Sequence, residues 1–151
     1  MKRILFGFLM LALLLVNVSC FIAPTIEIGG DLMDITYDEK IVEFNTLIVI
    51  RQEEKFIVLI HDGKNILKKV EFNASRNVLN CEQIVLKEDI EINKYFNRPF
   101  KELVKCFGEE HTDIGSGFYL PSYVTTDGYL LVFSVESGII SNVSKIDLLK
   151  T

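Results

Sequence analysis

Apolar residues arrive in this chain as short β-branched or aromatic runs, cut by charged or glycine-bearing turns, and that rhythm predicts strands. Ile41 to Ile50 ends in Thr46-Leu47-Ile48-Val49-Ile50, and Lys55 to Ile60 carries Phe56-Ile57-Val58-Leu59-Ile60. The charged turn Arg51-Gln52-Glu53-Glu54 separates them. His61-Asp62-Gly63-Lys64-Asn65 follows, and Asp-Gly favours a tight hairpin in which both turn residues have positive φ. Ile66 to Phe72 completes a meander, with Val70 and Phe72 on one face and Lys69 and Glu71 on the other.

The same rhythm returns late in the chain. Phe118 to Val124 contains Pro121, which cannot donate to a ladder and so marks an edge strand or a bulge. Thr125-Thr126-Asp127-Gly128 predicts a turn, and Tyr129 to Val135 places Tyr129, Leu131, Phe133 and Val135 on one face. Glu136-Ser137-Gly138 turns the chain again into Ile139 to Ile146. Phe56 to Val70 aligns without gaps on Tyr129 to Val143, consistent with a duplicated strand-turn-strand unit or with two independent β-rich hairpins.

Between these stretches the period changes. Phe100, Leu103, Val104 and Phe107 fall at i, i+3, i+4 and i+7, which predicts a helix with all four on one face. Asn97 or Arg98 begins it, Pro99 suits its first turn and Gly108 ends it. Leu86, Ile90 and Phe96 suggest a shorter helix before it, although Ile90 and Ile92 also alternate as in a strand. The fold class expected is α+β: antiparallel sheet with two short helices packed on one face and a β-rich N-terminal half.

The start of the chain has a different character. Met1-Lys2-Arg3 is basic, Ile4 to Val16 is almost unbrokenly apolar, and Asn17-Val18-Ser19-Cys20 follows. An apolar run of about 13 residues is short of the roughly 20 that a spanning helix needs, so residues 1–19 are expected to be a removable export signal. The cysteine just past the apolar core resembles that of bacterial lipoprotein signals, which implies lipidation at Cys20 and anchoring in the cell membrane or envelope. Asn17 stands where that pattern has leucine, and a plainly secreted form is the alternative. Residues 20–32, with Pro24, Gly29 and Gly30, read as a tether, followed by a β-rich segment at 33–85 and a helix-helix-three-strand module at 86–148.

Removal of residues 1–19 leaves about 132 residues, enough for one compact unit. It also takes the formal net charge from −5 to −7, because Lys2 and Arg3 leave and no acid does. An acidic surface repels phosphate backbones, so nucleic acid is not expected as a partner. Of the three cysteines, Cys81 and Cys106 form an even pair once Cys20 is set aside, and outside the cytosol such a pair reads as a disulfide. A loop of about 25 residues closed in that way would add about 3.5 kcal/mol. Two separate buried thiols are the alternative.

Candidate chemistry is sparse. His61 stands in a turn, and His111 stands in Glu109-Glu110-His111-Thr112-Asp113, where the alternating acids of a calcium loop and a second histidine at helical spacing are both missing. Gly115-Ser116-Gly117 has neither phosphate-loop nor nucleophile-elbow spacing. Glu53-Glu54, Glu88-Asp89 and Glu109-Glu110 point their neighbouring carboxylates apart. No catalytic residue, metal or cofactor is assigned, and the chain is not expected to be an enzyme. His111, Asp113, Ser116, Tyr119 and Tyr123, with Phe118 beside them, are instead candidate partner contacts, since aromatics are enriched at interface hot spots.

Residues from about Lys94 to Leu148 resemble a module of small bacterial lipoproteins. The likeness is carried by Phe100-Lys101-Glu102-Leu103-Val104-Lys105-Cys106-Phe107-Gly108, by Asp113-Ile114-Gly115-Ser116-Gly117 and by Asp127-Gly128. It is similar to the SmpA/OmlA outer-membrane assembly lipoproteins and the β-lactamase-inhibitor-protein-like fold. That resemblance implies two helices on an antiparallel sheet and a role in binding or assembly against another envelope or extracellular protein. An inhibitor or immunity-type protein that blocks a secreted enzyme is the alternative it allows.

Overall fold

The structure is a computed structural model that describes residues 25–88 and 91–150. The expected export signal and Cys20 lie outside the described residues. Among those residues, nine strands form two antiparallel sheets, accompanied by one α-helix. The first sheet runs in chain order through β1 (Glu39–Glu43), β2 (Leu47–Gln52), β3 (Lys55–His61), β4 (Ile66–Asn73) and β5 (Val78–Glu82). The second runs through β6 (Thr112–Asp113), β7 (Pro121–Val124), β8 (Tyr129–Glu136) and β9 (Ile139–Asp147). Helix α1 (Phe100–Phe107) lies between the sheets in sequence.

Both sheets are covered on both faces, and this explains why their central strands are continuous apolar runs rather than alternating ones. Leu47, Val49, Phe56, Val58, Val70 and Phe72 of the first sheet share a core with Val124, Leu130 and Val132 of the second and with Leu148 and Leu149. On the far face of the first sheet, Ile48, Ile50, Ile57 and Leu59 pack against Ile26, Ile28, Leu32 and Ile35. On the far face of the second, Tyr123, Leu131, Phe133 and Ile140 meet Leu103, Phe100 and Phe107 of α1. The predicted common face of β8 therefore holds for Leu131, Phe133 and Val135, which all point toward the helix.

The segment expected as a tether is part of the fold from residue 25 on. Gly29 N–H donates to Ile66 O at 2.8 Å, Leu32 N–H to Lys64 O at 2.7 Å, and Ile66 N–H returns to Gly30 O at 3.0 Å. Lys69, 5% exposed, donates through Nζ to Ile26 O at 2.7 Å and pairs with Glu82 at 2.7 Å. Burial pulls its ammonium pKa down, but Glu82 and Glu71 outweigh that and leave it above the usual lysine value.

Two local expectations need correction. The first of the two helices is a single 3-10 turn, Ile92–Tyr95, and its predecessor Lys87 is extended, bridging to Thr125 in parallel. Asp62-Gly63 does not supply a two-residue turn: only Gly63 has positive φ, and the Asp62 carboxylate accepts from Lys64 and Asn65 N–H to build a wider one. The turn with two adjacent positive φ values is Ser137-Gly138, at 51° and 80°, joining β8 directly to β9. Cys81 and Cys106, the pair expected to bridge, stand in the structure as free, exposed thiols, and the Cys81 thiol donates to Ile84 O at 3.2 Å.

Candidate functional site

The stretch from the end of α1 through β7 holds all five candidate contact residues, and the structure divides them into a buried framework and a more exposed tip. His111 is framework. Its Nδ1 accepts Val124 N–H at 2.8 Å and its Nε2 donates to Val85 O at 2.9 Å, so the neutral ring clamps β7 to the segment arriving from the first sheet. Burial and the positive charges of Lys68 and Lys87 push its pKa down to about 4. Lys68 Nζ donates to the His111 carbonyl. Tyr123 is fully buried, its ring edge-on to Phe107, Phe133 and His111, and its hydroxyl donates to Gly108 O at 2.9 Å. Both side chains, His111 and Tyr123, are buried in the structure, unlike the other three candidates. His61 is also buried, at the end of β3, with Nδ1 accepting Gly63 N–H.

Asp113 organises the loop that follows. Its Oδ1 accepts from Gly115 N–H at 2.9 Å and from Leu120 N–H at 2.8 Å, drawing the two ends of the loop together. The reversal is so tight that a Cβ on Gly115 would lie 1.6 Å from Phe118 O, which only glycine avoids. Thr46 ties the base of the loop to the first sheet, its hydroxyl donating to Asp113 O at 2.7 Å and accepting from Thr112. Held in this way, the loop displays Ser116, Phe118 and Tyr119 to solvent.

Phe118 is 81% exposed, an unusual state for so large an apolar side chain on a braced loop. Tyr119 beside it is 42% exposed and packs edge-on against Phe100 with ring centroids 5.7 Å apart. Its hydroxyl donates to Glu110 at 2.8 Å, and burial together with that carboxylate raises its pKa. Next to this pair lies an open groove of about 840 Å³, walled by Phe100, Val104, Tyr119, Val135 and Ile139 and edged by Lys101 and Lys105. The apolar face of α1 is wider than the sheet beneath it can cover. Leu103 is its one fully buried residue, while Phe100 and Val104 remain partly open to the groove.

A second hollow, of about 1040 Å³, opens at the hairpin ends of the first sheet. Both cations that line it are paired with carboxylates outside it, Arg51 with Glu39 at 2.9 Å and Lys55 with Glu71 at 3.3 Å, and the Asp38 carboxylate accepts Glu53 N–H at 2.6 Å. Among the described residues no three His, Cys, Asp or Glu side chains converge as metal ligands would. No described helix is long and apolar enough to cross a membrane.

No family model, no curated protein and no solved structure matches this chain. The groove and its loop are therefore interpreted on their own chemistry.

The groove as a whole was not evident from sequence because its walls come from α1, the loop before β7, β8 and β9. Phe118 was visible as an aromatic, but the pattern placed it inside a strand. The strand begins only at Pro121, and a proline is tolerated there because the first strand residue can forgo its donor.

Proposed function

We propose that this protein is an exported, lipid-anchored binding module of the cell envelope that holds another protein against the face formed by Phe118, Tyr119 and the α1 groove. The observation that carries this reading is Phe118: a large apolar side chain held in solvent by a loop that Asp113 and Gly115 make rigid. A pre-ordered aromatic beside an apolar groove is the arrangement that binding hot spots use, since little ordering entropy remains to be lost on association. Both histidines instead serve the backbone, which supports a non-catalytic role.

Export and anchoring are supported by the basic start, the short apolar run and Cys20. Two or three acyl chains, at about 0.8 kcal/mol per buried methylene, would hold the domain to a bilayer. The likeness of residues 94–148 to assembly lipoproteins agrees with a partner in the same compartment. A protruding, braced aromatic loop also suits an inhibitor that plugs the cleft of a secreted enzyme, and this is the second reading.

The test uses the full chain produced with its own N-terminal segment. Metabolic labelling with a palmitate analogue should mark the wild type and leave Cys20→Ala unmarked. Crosslinked capture from the envelope should recover a partner with wild type and lose it with Phe118→Asp. A secreted hydrolase as that partner would select the inhibitor reading. Unlabelled wild type of unprocessed mass would contradict anchoring, and equal capture by Phe118→Asp would contradict the binding face.

A further inference from the structure

The apolar contacts of the fold fix an order of layers. Residues 25–35 cover one face of the first sheet, the second sheet covers the other, and α1 covers the far face of the second. The chain therefore enters at one end of this stack, and the α1 groove lies at the other. Stacked sheets stand about 10 Å apart and a helix is about 10 Å across, so about 30 Å separates the entering segment from α1.

The entry point is pinned. Ile26 is buried against the first sheet, and its carbonyl accepts from Lys69 Nζ at 2.7 Å, with Lys69 held in turn by Glu71 and Glu82. Only five residue steps connect Thr25 to Cys20. A chain of that length spans at most about 18 Å in any conformation, well short of the stack.

We propose that the anchored molecule stands on the bilayer by the face of residues 25–35, with the α1 groove turned to the aqueous side. If α1 lay against the lipid, Thr25 would be about 30 Å from the surface, out of reach of an anchor at Cys20. The same segment carries apolar groups suited to a lipid boundary. Met33 is 88% exposed between the core-facing Leu32 and Ile35, and Tyr37 is 43% exposed. Glu27 and Asp34 are exposed there too, so charge does not draw this face to anionic headgroups and the acyl chains supply the attachment. The class of partner follows: an occupant of the groove is a soluble protein, or a domain that rises about 30 Å clear of the bilayer. The proposal rests on the reading that Cys20 carries lipid.

Energy transfer to acceptor lipids provides the test. The full chain, made and processed with its own N-terminal segment, is reconstituted into phosphatidylcholine vesicles that carry an acceptor on the headgroup. A fluorescent amino acid serves as donor at Met33 or at Glu102 of α1, both exposed, so near-wild-type melting temperatures are expected. Transfer should be severalfold stronger from position 33 than from position 102. Insertion of about twenty glycine and serine residues between Cys20 and Thr25 lengthens the connection beyond the height of the stack, and the two positions should then transfer nearly alike. Equal transfer in the native-length chain, stronger transfer from position 102, or a difference that the insertion leaves unchanged would overturn the proposal. Labelling the same preparations with a palmitate analogue keeps the two readings apart. Labelled protein that floats with the vesicles but transfers equally from both positions leaves the anchor standing and removes the orientation. Unlabelled protein that does not float removes both.

Discussion

His111 is the residue whose environment makes the sharpest quantitative claim. Its Nδ1 already accepts Val124 N–H, so protonation would require that buried bond to break and would place a cation near Lys68 and Lys87. The folded pKa of about 4 lies below the usual histidine value of about 6.5. An unfolded chain therefore takes up a proton near pH 6.5 while the folded chain does not. This contribution is fully present above pH 6.5 and is lost as pH falls toward 4, amounting to about 3 kcal/mol at the lower limit. Urea unfolding of wild type and His111→Gln at pH 7 and pH 4.5 checks it: the variant, though weaker at neutral pH, should lose less on acidification. Gly115 yields a second expectation at the same scale. Gly115→Ala forces its Cβ onto Phe118 O, so the loop must open. A loss of about 2 kcal/mol or more in unfolding free energy is expected, and unchanged stability would show the loop to be far softer than described.

At the scale of elements, the two attachments that cover the sheets differ in kind. Helix α1 is held by burial, through Leu103, which is completely enclosed among Tyr123, Leu131, Phe133 and Ile140. Leu103→Ala should cost about 2–5 kcal/mol by equilibrium unfolding, whereas Val104→Ala at the groove should cost much less. Residues 25–35 are held partly by polar contacts to a single buried lysine. Lys69→Ala leaves Ile26 O, Glu71 and Glu82 without their shared cation. Faster hydrogen exchange at Gly29 and Leu32, with little change in β8, is the expected signature. What the sequence revealed follows the same division. β2, β3, β4, β8 and α1 were legible because burial writes itself as apolar runs or a helical face. β5 went unpredicted because Val78–Cys81 is exposed and carries no alternation, and β6 because Thr112–Asp113 is too short for any period. The first helix was not found at the length expected: Lys87 bridges to Thr125, and among the described residues of this stretch the helical turn is Ile92–Tyr95.

For the whole molecule, the shared core between the sheets predicts cooperativity. Leu47, Val58 and Phe72 lose their cover if Val124, Leu130 and Leu148 depart, so the segments 33–85 and 86–148 should not melt separately. Far-ultraviolet and tyrosine near-ultraviolet circular dichroism should trace one thermal transition, and two distinct midpoints would show that the sheets are independent. The candidate site was half legible at this scale. Sequence located its loop and its aromatics, but only the fold separates Tyr123 and His111, which hold the scaffold, from Phe118 and Tyr119, which are displayed. That sorting depends on contacts between residues far apart in the chain, such as Thr46 with Asp113 and His111 with Val85, which no local pattern records.

The central claim, that the Phe118 loop and its groove are the working surface, is tested most directly by site-specific photocrosslinking in living cells. A photoreactive residue at position 118 should yield a discrete protein adduct, and one at exposed Glu54 on the opposite sheet should yield none. Adducts at position 54 with none at position 118 would contradict the account.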